Sequence, residues 1–221
     1  MANSQQLRDN TEQHKVKNIE SKQDDRQLYE VSEEVLKMLQ KLFPSQKDSF
    51  YLTKVISYGT IGRLKNIPID SQYKDNCASP DGGIIWWRNY PLVISEAKRQ
   101  GTNKAREEEG KSRQAIGNAI ERLGKNLVIY RKLYRDEEIF PFICFCRGCD
   151  FGHPYTLSKL YGMNDMHEIG DYYYRNVGQD QPFSCIYTPM ENFDTQYLQM
   201  KIFKMAINSL YYFSQKENYC E

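Results

Sequence analysis

Two carboxylates and a lysine near the middle of the chain are of the types that phosphodiester hydrolysis needs. Asp81 lies in Pro80-Asp81-Gly82-Gly83, and Glu96 and Lys98 lie in Glu96-Ala97-Lys98-Arg99-Gln100-Gly101. Hydrolysis of a phosphodiester calls for a divalent cation that polarises a phosphoryl oxygen and acidifies water, and a hard cation such as Mg²⁺ takes carboxylate and carbonyl oxygens. Side chains alternate along a strand, so Glu96 and Lys98 share a face and Ala97 points the other way. An ammonium placed there can orient the attacking water and offset charge developing on the phosphate. Taken singly, Pro-Asp-Gly-Gly is also an ordinary turn, and Glu and Lys two apart are also an exposed strand pair. The combination points to a metal site.

A third signature, Gly117-Asn118-Ala119-Ile120-Glu121-Arg122, opens a helical pattern. Ile116, Ile120, Leu123, Leu127, Tyr130 and Tyr134 recur at steps of three and four and form one apolar stripe. At about 100° per residue, Asn118, Glu121, Arg122 and Lys125 fall on the opposite face. Such a face can simply be solvated. It can equally read base edges, because Asn pairs with adenine N6 and N7, a carboxylate accepts from exocyclic amino groups, and Arg donates to purine N7.

These residues need elements to hold them. The stretches 84–87 and 92–97 read as two strands joined at Arg88-Asn89-Tyr90-Pro91, a hairpin that brings Asp81 and Glu96 to the same end of a sheet. Leu28, Val31, Val35, Leu39 and Leu42 mark an amphipathic helix ended by Pro44, and a shorter helix is expected between Ser57 and Lys65. A strand over 140–146 follows the third signature. A last helix begins near Asp194 as N-cap and carries Leu198, Ile202, Met205, Ala206, Ile207, Leu210 and Phe213. Residues 101–111, with Glu107-Glu108-Glu109, read as a charged, solvated loop. Strands alternating with helices predict an α/β fold, a sandwich of sheet and helices.

With 221 residues, 40% apolar and 27% charged, the chain suits one sizeable core, and a single domain over 26–221 is expected. Residues 1–25 are polar and lack apolar periodicity, which alone reads as a disordered tail. A net charge of +1 does not advertise nucleic-acid binding. Its distribution does: Lys98 to Arg135 holds eleven basic and four acidic residues, a local +7 that leaves about −6 elsewhere. No basic, apolar leader and no membrane-length apolar run occur, so a cytoplasmic protein without a membrane partner is expected. Cys144-x-Cys146-x-x-Cys149 near His153 has zinc-ligand types, yet no second pair follows at finger spacing. Cys144 and Cys146 read more simply as small buried hydrophobes on one face of a strand, and disulfides are not expected in a reducing cytosol.

Asp81 with Glu96-Ala97-Lys98 resembles the core of the PD-(D/E)xK nuclease superfamily, and Gly117 to Arg122 resembles the recognition motif of the EcoRI-like type II restriction endonucleases. Thr11 to Lys15, Phe140-Pro141-Phe142 and Ile186-Tyr187-Thr188 with the helix after it also look like parts of that family. The resemblance covers most of the chain and is most specific in its middle third. It implies a mixed central β-sheet flanked by helices, a homodimer on double-stranded DNA, and residues 1–25 acting as an arm that folds over the DNA. It also implies Mg²⁺ held by Asp81, Glu96 and the Ala97 carbonyl, with Lys98 positioning or helping to activate the water. Gly117, Asn118, Ala119, Glu121 and Arg122 would then read AATT within a palindrome, with Lys125 beside them on the DNA. Cutting would leave 5′ overhangs ending in 5′-phosphate. A companion adenine methyltransferase is implied by the family alone. Two rivals remain: a PD-(D/E)xK repair or junction nuclease without a palindromic consensus, and a DNA-binding protein that does not cut.

The outer base pair is where the chain departs from the family. Two arginines of the EcoRI pattern fall on a segment like Tyr155 to Leu160, where this chain has Thr156 and Lys159, and much of the segment before Tyr155 is missing. An Arg fork holds guanine O6 and N7 together, whereas one ammonium reaching N7 accepts either purine. The expected site is therefore purine-AATT-pyrimidine, or AATT alone. Cleavage of duplexes that differ only in the outer pair should proceed at both purines, and strict GAATTC cutting would overturn the role given to Lys159.

Overall fold

Central strands in this chain are apolar on both faces, the pattern expected where helices cover both sides of a sheet. Ile84, Ile85, Trp86 and Trp87 are all buried, as are Leu92, Val93 and Ile94. The computed structural model describes the backbone of residues 4–100, 107–108, 110, 117–148, 186–190 and 194–218, and the side chains of 22–98, 107–108, 110, 123–124, 126–147 and 194–217. Along these run α1 (Ser4–Leu42), β1 (Phe50–Thr53), β2 (Ile56–Ser57), α2 (Tyr58–Lys65), β3 (Cys77–Ala78), β4 (Gly83–Trp87) and β5 (Tyr90–Gln100). Then come α3 (Gly117–Arg131), β6 (Phe142–Gly148), β7 (Ile186–Met190) and α4 (Thr195–Asn218). A five-stranded sheet has the order β1-β4-β5-β6-β7, and β2 with β3 forms a separate pair. β1 and β4 run antiparallel, as do β4 and β5, whereas β5, β6 and β7 are parallel, so the sheet is mixed as expected.

Alternation on β5 divides the chemistry between two layers. Ser95 faces α1, where its Oγ lies 3.2 Å from that of Ser32. Glu96 faces α3, whose Asn126 amide donates to it. α1 and α4 pack on one another and both cover β5. α1 buries Leu28, Val31, Val35 and Leu39, and α4 buries Leu198, Ile202, Met205, Ala206 and Phe213. The expected cap at Asp194 is in place, its Oδ1 accepting from the Gln196 N–H at 2.9 Å, and Ser57 Oγ caps α2 by accepting from the Thr60 N–H at 3.1 Å.

Some boundaries differ from the sequence reading. The hairpin turn is Arg88-Asn89 alone, because Trp87 already pairs with Tyr90 and Pro91 stands within β5 opposite Trp86. The register shifts between Ile85 and Trp86, and such an irregularity is where a proline without an N–H can enter a strand. β5 also runs on to Gln100, past the Ala97 limit expected. α1 starts at Ser4, within the polar stretch that alone read as a disordered tail. Apolar periodicity marks only the docked part of a helix. Once that part is nucleated, each further residue adds one hydrogen bond for one residue ordered. No helix among the described residues is long and apolar enough to cross a membrane.

The tightest joint lies beside Asp81. A methyl group on Gly82 would meet Ser95 Oγ at 2.1 Å and Leu28 Cγ at 2.8 Å, so α1, β5 and the turn carrying Asp81 converge where only a hydrogen fits. Overpacking of this kind costs about 1–3 kcal/mol. Gly82→Ala should lower the melting temperature and push Asp81 out of place, and an unchanged thermal melt would contradict this packing.

Candidate active site

Asp81 sits on a turn fixed from both sides. The Gly83 N–H donates to Pro80 O at 2.9 Å, and the Gly82 N–H donates to Ser95 O at 3.0 Å. Gly83 has φ of +80°, and a Cβ there would lie 2.8 Å from Thr53 O, so glycine is required on conformation and on space. This turn and β5 then interlock. The Ala97 N–H donates to Asp81 Oδ2 at 3.1 Å, and the Asp81 N–H donates to Glu96 Oε2 at 3.4 Å. The two carboxylates that the sequence singled out are thereby brought together.

Lys98 lies between them. Its Nζ donates to Ala97 O at 3.0 Å, lies 3.5 Å from Asp81 Oδ2, and pairs at close range with Glu96 Oε1. Burial is graded across the group: Glu96 is 2% exposed, whereas the side chains of Lys98 and Asp81 are 16% and 24% exposed. Burial pushes the Glu96 carboxyl well above the usual carboxylate range; Lys98 opposes the shift and the Asp81 charge adds to it. Burial alone would lower Lys98, but Glu96 and then Asp81 outweigh it and hold the ammonium charged. Three oxygens, from Asp81, Glu96 and the Ala97 carbonyl, thus surround one positive charge. This donor set is of the kind that suits a hard divalent cation. Among the described residues no cluster of three His, Cys, Asp or Glu side chains forms a cation cage. The set consists of two carboxylates and a carbonyl.

Asn126, which bonds this centre directly, escaped the sequence reading, and so did Asp24 and Asp25 on α1. Asn126 Nδ2 donates to Glu96 Oε1 at 2.8 Å. The signal was its spacing: position 126 falls three after Leu123 and four before Tyr130, at the edge of the apolar stripe. Asp24 is 5% exposed and accepts from Arg147 Nη2 on β6 at 2.9 Å. It continues the α1 stripe one turn before Leu28, as a buried acid would. Asp25 next to it is raised to about 6, first by burial and then by the Asp81 charge, against Lys98. On β6, Cys144 pairs with Glu96 and Cys146 with Lys98 in register, and both thiols are fully buried. They pack as small hydrophobes, and Cys149 lies outside the described residues.

α3 is described from Gly117 on, so the expected reading motif lies in a helix. Side chains 117–122 and Lys125 are outside those described, and Lys159 lies outside the described residues altogether. Leu123, Leu127, Tyr130 and Tyr134 of the expected stripe are buried.

A family profile described as restriction endonuclease EcoRI matches residues 11–158. The chain belongs to the EcoRI restriction endonuclease family. That span takes in Asp81, Glu96, Lys98 and Gly117 to Arg122, and ends one residue before Lys159. The EcoRI-family chain is also similar to the type II restriction enzyme RsrI of Cereibacter sphaeroides. The two are 36% identical over 87 residues, covering 33% of this chain and 31% of RsrI. The chain thus spans about a third of the length of the curated relative it matches.

Asp25 offers a test of the field at this site. Its ordinary carboxyl value is about 3.9, so the folded chain keeps a proton that the unfolded chain has already released. Stability then falls as pH climbs from about 4 through the folded value, by linkage. Asp25→Asn removes the titration, and should melt higher than wild type at pH 7 and no higher at pH 3.5. Equal differences at both pH values would contradict the burial of the Asp25 carboxyl.

Proposed function

We propose that this chain is a type II restriction endonuclease that hydrolyses double-stranded DNA at a palindrome with an AATT core, using Mg²⁺. The observation that carries the reading is the convergence of Asp81 Oδ2, Glu96 Oε1 and Ala97 O on one cationic position. Membership of the EcoRI family supports it, and so does the helix that carries Gly117 and packs toward the same face of β5.

Asp81, Glu96 and the Ala97 carbonyl would hold the cation, which when bound supplies Lewis-acid polarisation of the phosphoryl group. Lys98 remains an ammonium at neutral pH. It would position or help activate the attacking water and offset negative charge on the phosphate. The first turns of α3 would bring Gly117, Asn118, Ala119, Glu121 and Arg122 to the major groove, with Lys125 on the backbone and Lys159 at the relaxed outer pair. A two-fold homodimer matches a palindrome, because protein symmetry maps onto DNA symmetry. Residues 1–25 would serve as an arm on the DNA whose Asp24 end is anchored to β6, with 26–221 as the single endonuclease domain. In-line attack leaves 5′-phosphate on 5′ overhangs, and a companion adenine methyltransferase would protect the host's own sites.

Digestion of a fully sequenced, unmethylated phage DNA, followed by sequencing of every cut end, tests the reading. Mg²⁺-dependent ends sharing an AATT overhang are expected. Ends without a consensus would indicate a repair or junction nuclease instead, and binding without cutting would indicate a DNA-binding protein. Asp81→Ala and Lys98→Ala should each reduce cutting by about 10²–10³-fold or more while specific binding persists. Near-normal cutting by either would overturn the site assignment.

A further inference from the structure

We propose that Asn126 is a positioning residue through which α3 sets the Glu96 carboxylate, so that seating of the helix on DNA also prepares the cation site. The inference rests on the endonuclease reading above. Its starting point is one hydrogen bond, from Asn126 Nδ2 to Glu96 Oε1 at 2.8 Å, within a site where Glu96 is 2% exposed.

The two donors to Glu96 Oε1 differ in kind. Lys98 brings a charge, and a divalent cation at the same oxygens would repel it. Asn126 brings a neutral amide that does not compete with the cation and can stay on Glu96 whether or not it is bound. Of the two, only the amide holds the carboxylate through loading.

The amide is also held by the helix that would read the bases. Leu123, Leu127 and Tyr130, all buried, bracket position 126 and leave it little freedom to rotate away. Tyr130 stacks on Phe142 of β6, with ring centroids 5.8 Å apart. Position 122 lies one turn before 126 on the same side of the helix, and Gly117 is about 14 Å along the axis at 1.5 Å per residue. A helix of this length moves as a rod, so a shift of its first turn on a wrong sequence shifts the amide on Glu96.

The test compares wild type, Asn126→Ala and Asn126→Gln in single-turnover cleavage of an AATT duplex and of duplexes with one base of the core changed. Duplex binding in Ca²⁺ and Mn²⁺ binding by electron paramagnetic resonance are measured alongside. Asn126→Ala should lose about 10–100-fold in cleavage of the correct site and in Mn²⁺ affinity, the usual effect of removing a group that orients a ligand. It should lose little on the changed sites, so discrimination falls, while duplex binding holds. Asn126→Gln keeps the amide and should recover part of both losses. If Asn126→Ala melts below the assay temperature, Asn126→Ser carries the same comparison. Unchanged Mn²⁺ affinity, or equal losses on correct and changed sites, would overturn the inference while leaving the endonuclease reading in place. Wild-type protein that cuts no palindrome would overturn that reading, and this inference with it.

Discussion

The site depends on an electrostatic constraint: two carboxylates held together at the end of a sheet, one of them almost wholly buried. Asp81 and Glu96 are locked by reciprocal bonds, each through a backbone N–H of the segment that carries the other. Such a pair is costly without a positive charge, since burial and mutual repulsion both disfavour ionisation. Lys98 supplies one charge from the same strand face, and the Ala97 carbonyl adds a further oxygen. Two carboxylates thus face a single ammonium across a group that is largely shut off from solvent.

Around this centre the fold acts as a frame with little slack. Gly82 is pressed between Ser95 and Leu28, so the turn with Asp81 cannot move independently of α1 and β5. Asp24 ties α1 to Arg147 on β6, and Asn126 ties α3 to Glu96 on β5. Each layer of helices therefore reaches the end of the sheet through a polar contact as well as through apolar packing. A charged side chain is only as well placed as the groups that orient it. Parallel pairing of β5 with β6 completes the frame, backing Glu96 and Lys98 with the buried Cys144 and Cys146.

Much of this was legible in the residues. The stripe of α1 as far as Leu39, the described stripes of α3 and α4, the β4–β5 hairpin, the cap at Asp194 and the buried cysteine pair all follow local rules of periodicity, turn chemistry and capping. Where the reading fell short, the local rule had no term for tertiary context. Pro91 looked like a turn residue and stands in a strand, because the shifted register next to it tolerates a missing donor. α1 extends to Ser4 over residues without an apolar stripe, because a helix nucleated elsewhere can propagate through them.

The sequence by itself determined which side chains could do chemistry: Asp81, Glu96 and Lys98, with the strand period putting the last two on one face. It also determined the mixed α/β plan, since binary patterns and spacings are properties of neighbouring residues. The tertiary structure decided which distant residues complete the site. Asn126 lies thirty positions after Glu96, and its 2.8 Å contact exists only because α3 packs across β5. Asp24 and Asp25 reach the same end of the sheet only because α1 lies across its opposite face. A polar residue on an apolar stripe signals that a partner must exist, because an unpaired buried polar group is expensive. Which partner it meets depends on how helices cross a sheet, a relation between segments far apart in the chain.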